Sequence, residues 1–420
     1  MAKSTLIPQI NQTLTLIPSL PNDISSIILS YIPFCFHTRA KLTSKSWYNF
    51  FTHSKTLIHN LRKNPQIQST LLVIFPDDPS LSSPYLFDPT HLAWAPLPRT
   101  PVNPHAYSLS NFSAISLGPH LYVLGGSLFD TRSFPLDRPT ASSAVFRLDF
   151  TVSGGGWTCV APMITARGSF AAAAVGGGGG GIVVAGGGSR HPMFGAAGSR
   201  VGRTERYEVE RDEWVAMEEL PGYRAGCVGF TVRRGAGTED EEEEEFWVMG
   251  GYGGTTTIAG VLPVDEQCRD VVVMGLEEGK WREVGEMWGD GQRGRLGKVA
   301  VVDHQLVNGL PQVFMVDENH DICRFNMALN SWSKETTIPQ KNQDGSSYGF
   351  VAIQGELHVI SLLLSVDLSE IRRSRRRKRG TFLSMQIYNP KTKSWRSLVT
   401  RSPFQCQLDF RTVVMCTICL

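Results

Sequence analysis

Two different periods of apolar residues divide this chain. Near the N-terminus, Ile24, Ile27, Ile28, Tyr31 and Ile32 fall at i, i+3, i+4, i+7 and i+8, so one face of a helix is apolar. Asn22 or Asp23 is placed to cap its first turn, and Pro33 ends it. A second helix, capped by Thr38, carries Ala40, Leu42, Trp47, Phe50 and Phe51. A third, capped by Ser54, carries Leu57, Ile58 and Leu61. Three helices in about 45 residues cannot bury this much apolar surface among themselves, so they dock on the rest of the chain or on a partner.

From Leu71 the helical period disappears and short strand-like runs take over. Their register is marked by aromatic pairs seven residues apart: Phe87 and Trp94, Tyr207 and Trp214, Phe325 and Trp332, Tyr388 and Trp395. Met274 and Trp281 keep the spacing. Phe146 and Trp157 are eleven apart, with Ser153-Gly154-Gly155-Gly156 read as a four-residue insertion. Three units also carry an apolar strand ending in a glycine pair: Gly125-Gly126, Gly186-Gly187 and Gly250-Gly251. Adjacent glycines admit positive φ and close approach of backbones. Phe314–Asp317 and His358–Ile360 stand in the corresponding places of the last two units. The runs at Leu71–Phe75, Tyr85–Phe87 and Ala93–Ala95 lack a first strand, and Phe410–Thr417 reads as a first strand lacking the rest. Joining the two closes a ring and hides its edges.

These patterns carry two resemblances. Leu20-Pro21, Asp23, the isoleucine helix ending at Ile32-Pro33, then Arg39, Lys41, Ser44, Lys45 and Trp47 resemble the F-box motif, with Thr43-Ser44 where many F-boxes have Val-Cys. The strand units resemble kelch repeats. The expected architecture is therefore mainly β: a six-bladed kelch-type propeller over 70–420 behind a three-helix F-box over 16–62. The F-box resemblance implies docking on a Skp-type adaptor and, through it, on a cullin–RING ubiquitin ligase. Leu20, Pro21, Ile24, Ile28, Ile32, Pro33 and Trp47 would form that interface or the small core behind it, an apolar helix face in a groove. The family reading is a substrate receptor of an SCF-type ligase whose propeller holds a target protein. Its rival is a kelch scaffold not coupled to ubiquitination.

Composition narrows the remaining classes. The 41 glycines and 24 prolines punctuate many short strands, and the hydrophobic content of 41% is enough for a packed core. A net charge of +2 gives no global pull toward nucleic acid or membrane. No run approaches the roughly 20 apolar residues of a membrane helix, and no secretory signal is evident. The eight cysteines are dispersed in the manner of a reduced protein. Cys416 and Cys419 have C-x-x-C spacing without a second pair, so no metal or other cofactor is expected. The histidines are scattered, without the clustering a copper site needs, so catalysis is not expected. Gly176–Gly181 lacks the lysine and hydroxyl of a phosphate loop and reads as a flexible turn. Nucleus or cytoplasm is the expected location.

Arginine recurs ahead of the inner strands. Arg167 and Arg224 each lie ten residues after a blade tryptophan, and Arg295 fourteen after. With Tyr223 they are candidate target contacts, gathered on the inter-blade loops around the channel mouth. The alternative is that the arginines hold backbone carbonyls between blades. The acidic run Glu239–Glu245 and the basic run Arg372–Arg379 read as solvated loops on opposite faces, kept disordered by self-repulsion. The basic run also suits nuclear import recognition. No aromatic platform accompanies it for RNA or DNA.

Overall fold

A strand of alternating or wholly apolar residues bounded by glycine, proline and Asx turns has few options beyond pairing with its sequence neighbour, and that is the local rule throughout the C-terminal part. The computed structural model describes residues 15–63, 68–76, 82–101, 106–130, 140–152, 155–176, 180–188, 200–235, 242–258, 262–289, 294–302, 310–339, 347–363, 381–405 and 408–420. Two units are distinguished: 1–69 with 150–155 and Leu420, and 70–149 with 156–419.

The first unit is helical. Helix α1 spans Asn22–Ser30, a 3₁₀ turn Phe34–Phe36, α2 His37–Ala40, α3 Lys45–His53 and α4 Lys55–Arg62. The sequence pattern predicts three helices because it runs the second from Thr38 to Phe51. The chain divides this stretch in two: Ser44 adopts extended backbone and its Oγ accepts the Trp47 amide at 3.1 Å, restarting the helix as α3. Thr38 caps nothing and lies inside α2. Pro21, not Asn22 or Asp23, precedes α1, with no side-chain cap; the Asn22 Oδ1 accepts the Leu16 amide instead. Ser54 stands at the N-cap of α4 without a capping bond. Leu29, Ala40, Phe50, Phe51 and Ile58 form the buried core, with Ile32 and Trp47 packed against it.

The second unit is a six-bladed propeller of four-stranded antiparallel sheets. From the inner strand outward, blade one is Val414–Cys419, Thr70–Phe75, Tyr85–Asp88 and Ala93–Pro96. Blade two is Ser113–Leu117, His120–Leu124, Val145–Asp149 and Trp157–Val160. Blade three is Ala171–Val175, Gly181–Ala185, Thr204–Glu208 and Glu213–Met217. Blade four is Val228–Gly235, Glu242–Met249, Asp270–Gly275 and Lys280–Glu286. Blade five is Lys298–Val302, Gln312–Val316, Asp321–Asn326 and Ser331–Thr337. Blade six is Gly349–Ile353, Glu356–Leu363, Phe382–Asn389 and Ser394–Arg401. Strand Val414–Cys419 pairs antiparallel with Thr70–Phe75 along its full length, so the ends of the propeller close the ring. Cys416 and Cys419 both sit on that closing strand, and burial pushes the Cys416 thiol up to about 12.

The aromatic register is a cross-strand pairing. Phe87 faces Trp94, Tyr207 faces Trp214, Met274 faces Trp281, Phe325 faces Trp332 and Tyr388 faces Trp395. Blade two departs from the expected pair. Trp157 lies opposite Leu148, and Phe146 lies opposite Cys159. The insertion is therefore two residues shorter than the Phe146–Trp157 spacing implies, and the buried Leu148 takes the aromatic's place. Five of the six tryptophans donate the indole N–H to the preceding blade: Trp94 to Thr400, Trp157 to Pro98, Trp214 to Ala161, Trp281 to Glu218 and Trp395 to Thr336. The Trp332 indole nitrogen has no such partner.

All six glycines of the three pairs have positive φ. At Gly125 and Gly186 a Cβ would lie 2.4 and 2.6 Å from the carbonyl oxygens of Arg167 and Arg224, so only glycine fits there. Blade five dispenses with the pair because its second and third strands join through a short turn, where Asp317 Oδ1 accepts the Asn319 and Asp321 amides.

The acidic run differs from its expected disorder. Glu242–Glu245 belong to a strand, facing Gly235–Val232 of the inner strand. Glu245 is buried and accepts bonds from the Trp247 indole and Arg282, while Glu244 accepts the Gly176 amide. Paired cations and donors, not solvent, offset the self-repulsion. The remaining acidic positions 239–241 and the basic run Arg372–Arg379 lie outside the described residues, as do 177–179, three of the six positions of the glycine run. Two β ribbons unforeseen in the sequence complete the unit: Tyr252–Ile258 with Leu262–Gln267, and Ala106–Ser110 with Ser127–Asp130 and Thr140–Ala141.

Candidate functional site

Helix α1 turns its apolar row outward. It buries Ser25, Leu29 and Ser30, while Ile24 is 44% and Ile28 46% exposed, and Leu20, Ile27 and Tyr31 are exposed beside them. The buried serines let the helix sit close to its neighbours; the Ser30 hydroxyl is satisfied by the Ile27 carbonyl at 2.7 Å. A helix with its β-branched row in water forfeits part of the roughly 1.5–3 kcal/mol each such side chain gains on burial, which marks a surface shaped for a partner.

Of the seven adaptor candidates, Leu20, Pro21, Ile24 and Ile28 are exposed, and Ile32, Pro33 and Trp47 are half-buried behind them. The Trp47 indole donates to the Leu16 carbonyl at 2.8 Å, tying the incoming chain to α3. Ile32 offers its carbonyl to the His37 ring at 2.9 Å, and burial lowers the His37 pKa to about 4. Ile27 and Tyr31 extend the exposed row. Their periodicity places them on it, although the motif does not name them.

The arginine candidates on the propeller separate into two kinds. Arg167 is 0% exposed: its guanidinium donates to the carbonyls of Gly186 and Arg203 and pairs with Glu205, which in turn accepts the Ile164 and Thr165 amides. Arg167 is thus an internal clamp with no surface to offer a target. Arg224 is likewise buried, 4% exposed, and pairs with Asp270 at 3.0 Å, but among the described residues its Nε and Nη1 have no hydrogen-bond partner where Arg167 reaches two carbonyls. The carboxylates that receive these arginines, Glu205 and Asp270, stand at the start of each third strand and were not legible as partners from spacing alone. Tyr223 is 64% exposed and Arg295 is 56% exposed, and both remain available on the inter-blade loops. Among the described residues no group of three or more histidine, cysteine and acidic side chains is arranged to hold a metal.

Residues 17–59 match the F-box domain. Over 419 residues the chain is 52% identical to the F-box/kelch-repeat protein OR23 of Arabidopsis thaliana, covering 98% of this chain and 93% of that protein. It is 26% identical over 227 residues to the F-box/kelch-repeat protein At1g16250, covering 52% of this chain and 54% of that protein. It is 28% identical over 215 residues to the F-box protein AFR, covering 49% and 50%, both from the same plant. An outward apolar helix face matched to the F-box, joined in one chain to six kelch-type blades and similar to OR23 almost end to end, leaves one assignment: this chain belongs to the F-box/kelch-repeat family.

Proposed function

We propose that the chain is the substrate-recognition subunit of an SCF-type ubiquitin ligase, docking on a Skp-type adaptor through α1 and holding a target protein on the inter-blade-loop face of the propeller. The observation that carries this reading is the unburied row Leu20, Ile24, Ile27, Ile28 and Tyr31 within the matched F-box domain. A receptor of this kind does no bond chemistry. It raises the concentration of the target near the charged conjugating enzyme, and its place of action is the nucleus or cytoplasm.

The test of coupling is reconstitution. The purified chain, Skp adaptor, cullin–RING core, activating and conjugating enzymes and ubiquitin are combined, and assembly is followed by size-exclusion chromatography with ubiquitin transfer onto bound protein. Co-elution with the cullin core and transfer dependent on the chain support the proposal. A folded chain that binds protein yet stays apart from the cullin core would instead make it a kelch scaffold.

A further inference from the structure

The repeated arginine permits a comparison of three successive seams within one molecule. Between blades two and three the Gly126 amide donates to the Arg167 carbonyl at 2.8 Å, and between blades three and four the Gly187 amide donates to the Arg224 carbonyl at 2.8 Å. No such bond joins Gly251 to Arg295 among the described residues. The steric contacts agree. Gly125 and Gly186 press on the Arg167 and Arg224 carbonyl oxygens, whereas the nearest atoms to a Cβ on Gly250 belong to the Leu296 side chain, at 2.9 Å. Successive inner strands pack closely around the ring, with the sparser approach between Val228–Gly235 and Lys298–Val302. In the sequence, Arg295 follows its blade tryptophan by four more residues than Arg167 and Arg224 do, and it stands exposed where they are buried.

A depression opens at that seam. Gly226, Gly251, Tyr252, Trp288, Arg295 and Leu296 are among the residues that line it. The Arg295 guanidinium lies over the Tyr252 ring, 5.9 Å from the centroid, and its ion pair with the exposed Glu318 is a loose one at 3.8 Å. Stacking orients a guanidinium while leaving its in-plane N–H groups free for a carboxylate. Tyrosine, tryptophan and arginine around a small depression are also the residue types on which interface energy concentrates.

We infer that the depression between blades four and five is the target-docking site, and that it takes a peptide segment placing a small apolar side chain against Tyr252 and Trp288 and an aspartate or glutamate carboxylate on Arg295. This rests on the receptor reading above and adds the chemistry of the target. One stacked cation beside Glu318 suits a single negative charge; a phosphate dianion would face that carboxylate with one arginine to balance it.

The test pans a displayed library of random peptides against the full chain, then measures the enriched peptides on the intact protein and on Arg295→Ala, Tyr252→Ala and Arg211→Ala. Arg211 is an exposed cation on the turn between the third and fourth strands of blade three and serves as control. Enriched peptides should share an acidic residue next to an apolar one, lose affinity about tenfold or more with Arg295→Ala and with Tyr252→Ala, and bind Arg211→Ala unchanged. Replacing the acid by its amide should have the same effect as Arg295→Ala. Peptides indifferent to Arg295 and Tyr252, the absence of an enriched acidic class, or tighter binding of a phosphoserine version than of the aspartate would each overturn the assignment. Capture of the same variants by purified Skp adaptor is measured alongside. Adaptor binding depends on α1 and should be untouched by Arg295→Ala, so its loss in the intact chain would refute the receptor reading and leave the peptide result to be judged by itself.

Discussion

Replacing Arg167 by alanine should destabilise the propeller severely without any contact with a target being involved. The guanidinium is wholly buried and donates to Gly186 and Arg203 at 2.9 and 2.7 Å in addition to pairing with Glu205. Its removal leaves Glu205, itself 1% exposed, as a buried carboxylate stripped of its cation, though still holding the Ile164 and Thr165 amides. Breaking one side of a buried pair costs about 3–5 kcal/mol. Unfolding entropy of about 2.1 cal/mol/K per residue over the roughly 350 residues of the propeller makes this a fall in Tm of about 4–7 °C. Differential scanning calorimetry on the purified chain reads it, with Arg295→Ala as the matched exposed arginine, expected to move Tm by less than about 1 °C. Glu205→Gln should recover part of the loss in the Arg167→Ala background, because a neutral amide no longer demands a cation. An Arg167→Ala protein as stable as the parent, or one no less stable than Arg295→Ala, would refute the assignment of Arg167 to the seam.

Three further outcomes follow from the blades. His358 is buried in blade six with its pKa lowered to about 4 by desolvation, so the unfolded chain takes up its proton first. Stability is then retained above about pH 6.5 and lost as the pH falls toward 4, by about 3 kcal/mol at most from this group; urea melts of the parent and His358→Leu at pH 7 and pH 4.5 should show a smaller acid loss in the variant. Trp214→Phe should cost about 1 kcal/mol more than Trp332→Phe in urea melts, since the Trp214 indole donates to the Ala161 carbonyl and that of Trp332 has no partner. Leu92 holds φ at 50° on an exposed turn, so Leu92→Gly should raise stability by about 1 kcal/mol, or leave it level once glycine's entropy is counted, whereas a clear loss in calorimetry would mean the Leu92 side chain makes contacts of its own.

Much of the propeller was legible because its marks are pairwise and local. A cross-strand partner seven residues before a tryptophan is the geometry of a tight antiparallel turn, and five blades obey it, four with an aromatic and blade four with Met274. Blade two misled because Phe146 is a nearby aromatic of the right parity, while the true partner is Leu148, which spacing cannot prefer over an aromatic. Ring closure could be argued from an incomplete blade at each end, since edge strands seek partners. The acidic run was misread for a different reason: charge density speaks of repulsion, but whether Arg282, Arg233 and the Gly176 amide stand nearby depends on tertiary placement. The same applies to the arginines. Their recurrence is visible in sequence, and the extra loop length before Arg295 is visible too, but only Glu205 and Asp270 reveal that two of the three are turned inward. On α1 the 3.6-residue period located the isoleucine row, and the motif resemblance rather than the period indicated that the row faces a partner.

The central claim is that this outward row docks on a Skp-type adaptor. Ile28 is 46% exposed, so Ile28→Asp places a charge on the proposed interface while leaving the Leu29 side of α1 in its core. Capture of the intact chain and of Ile28→Asp by immobilised purified Skp adaptor, with circular dichroism to verify that both are folded, tests the claim directly. Binding by the intact chain and its loss by about 100-fold or more in the variant is the predicted result, since a buried unpaired carboxylate replaces an apolar contact. Equal capture of both proteins, or no capture of the folded intact chain, would contradict it.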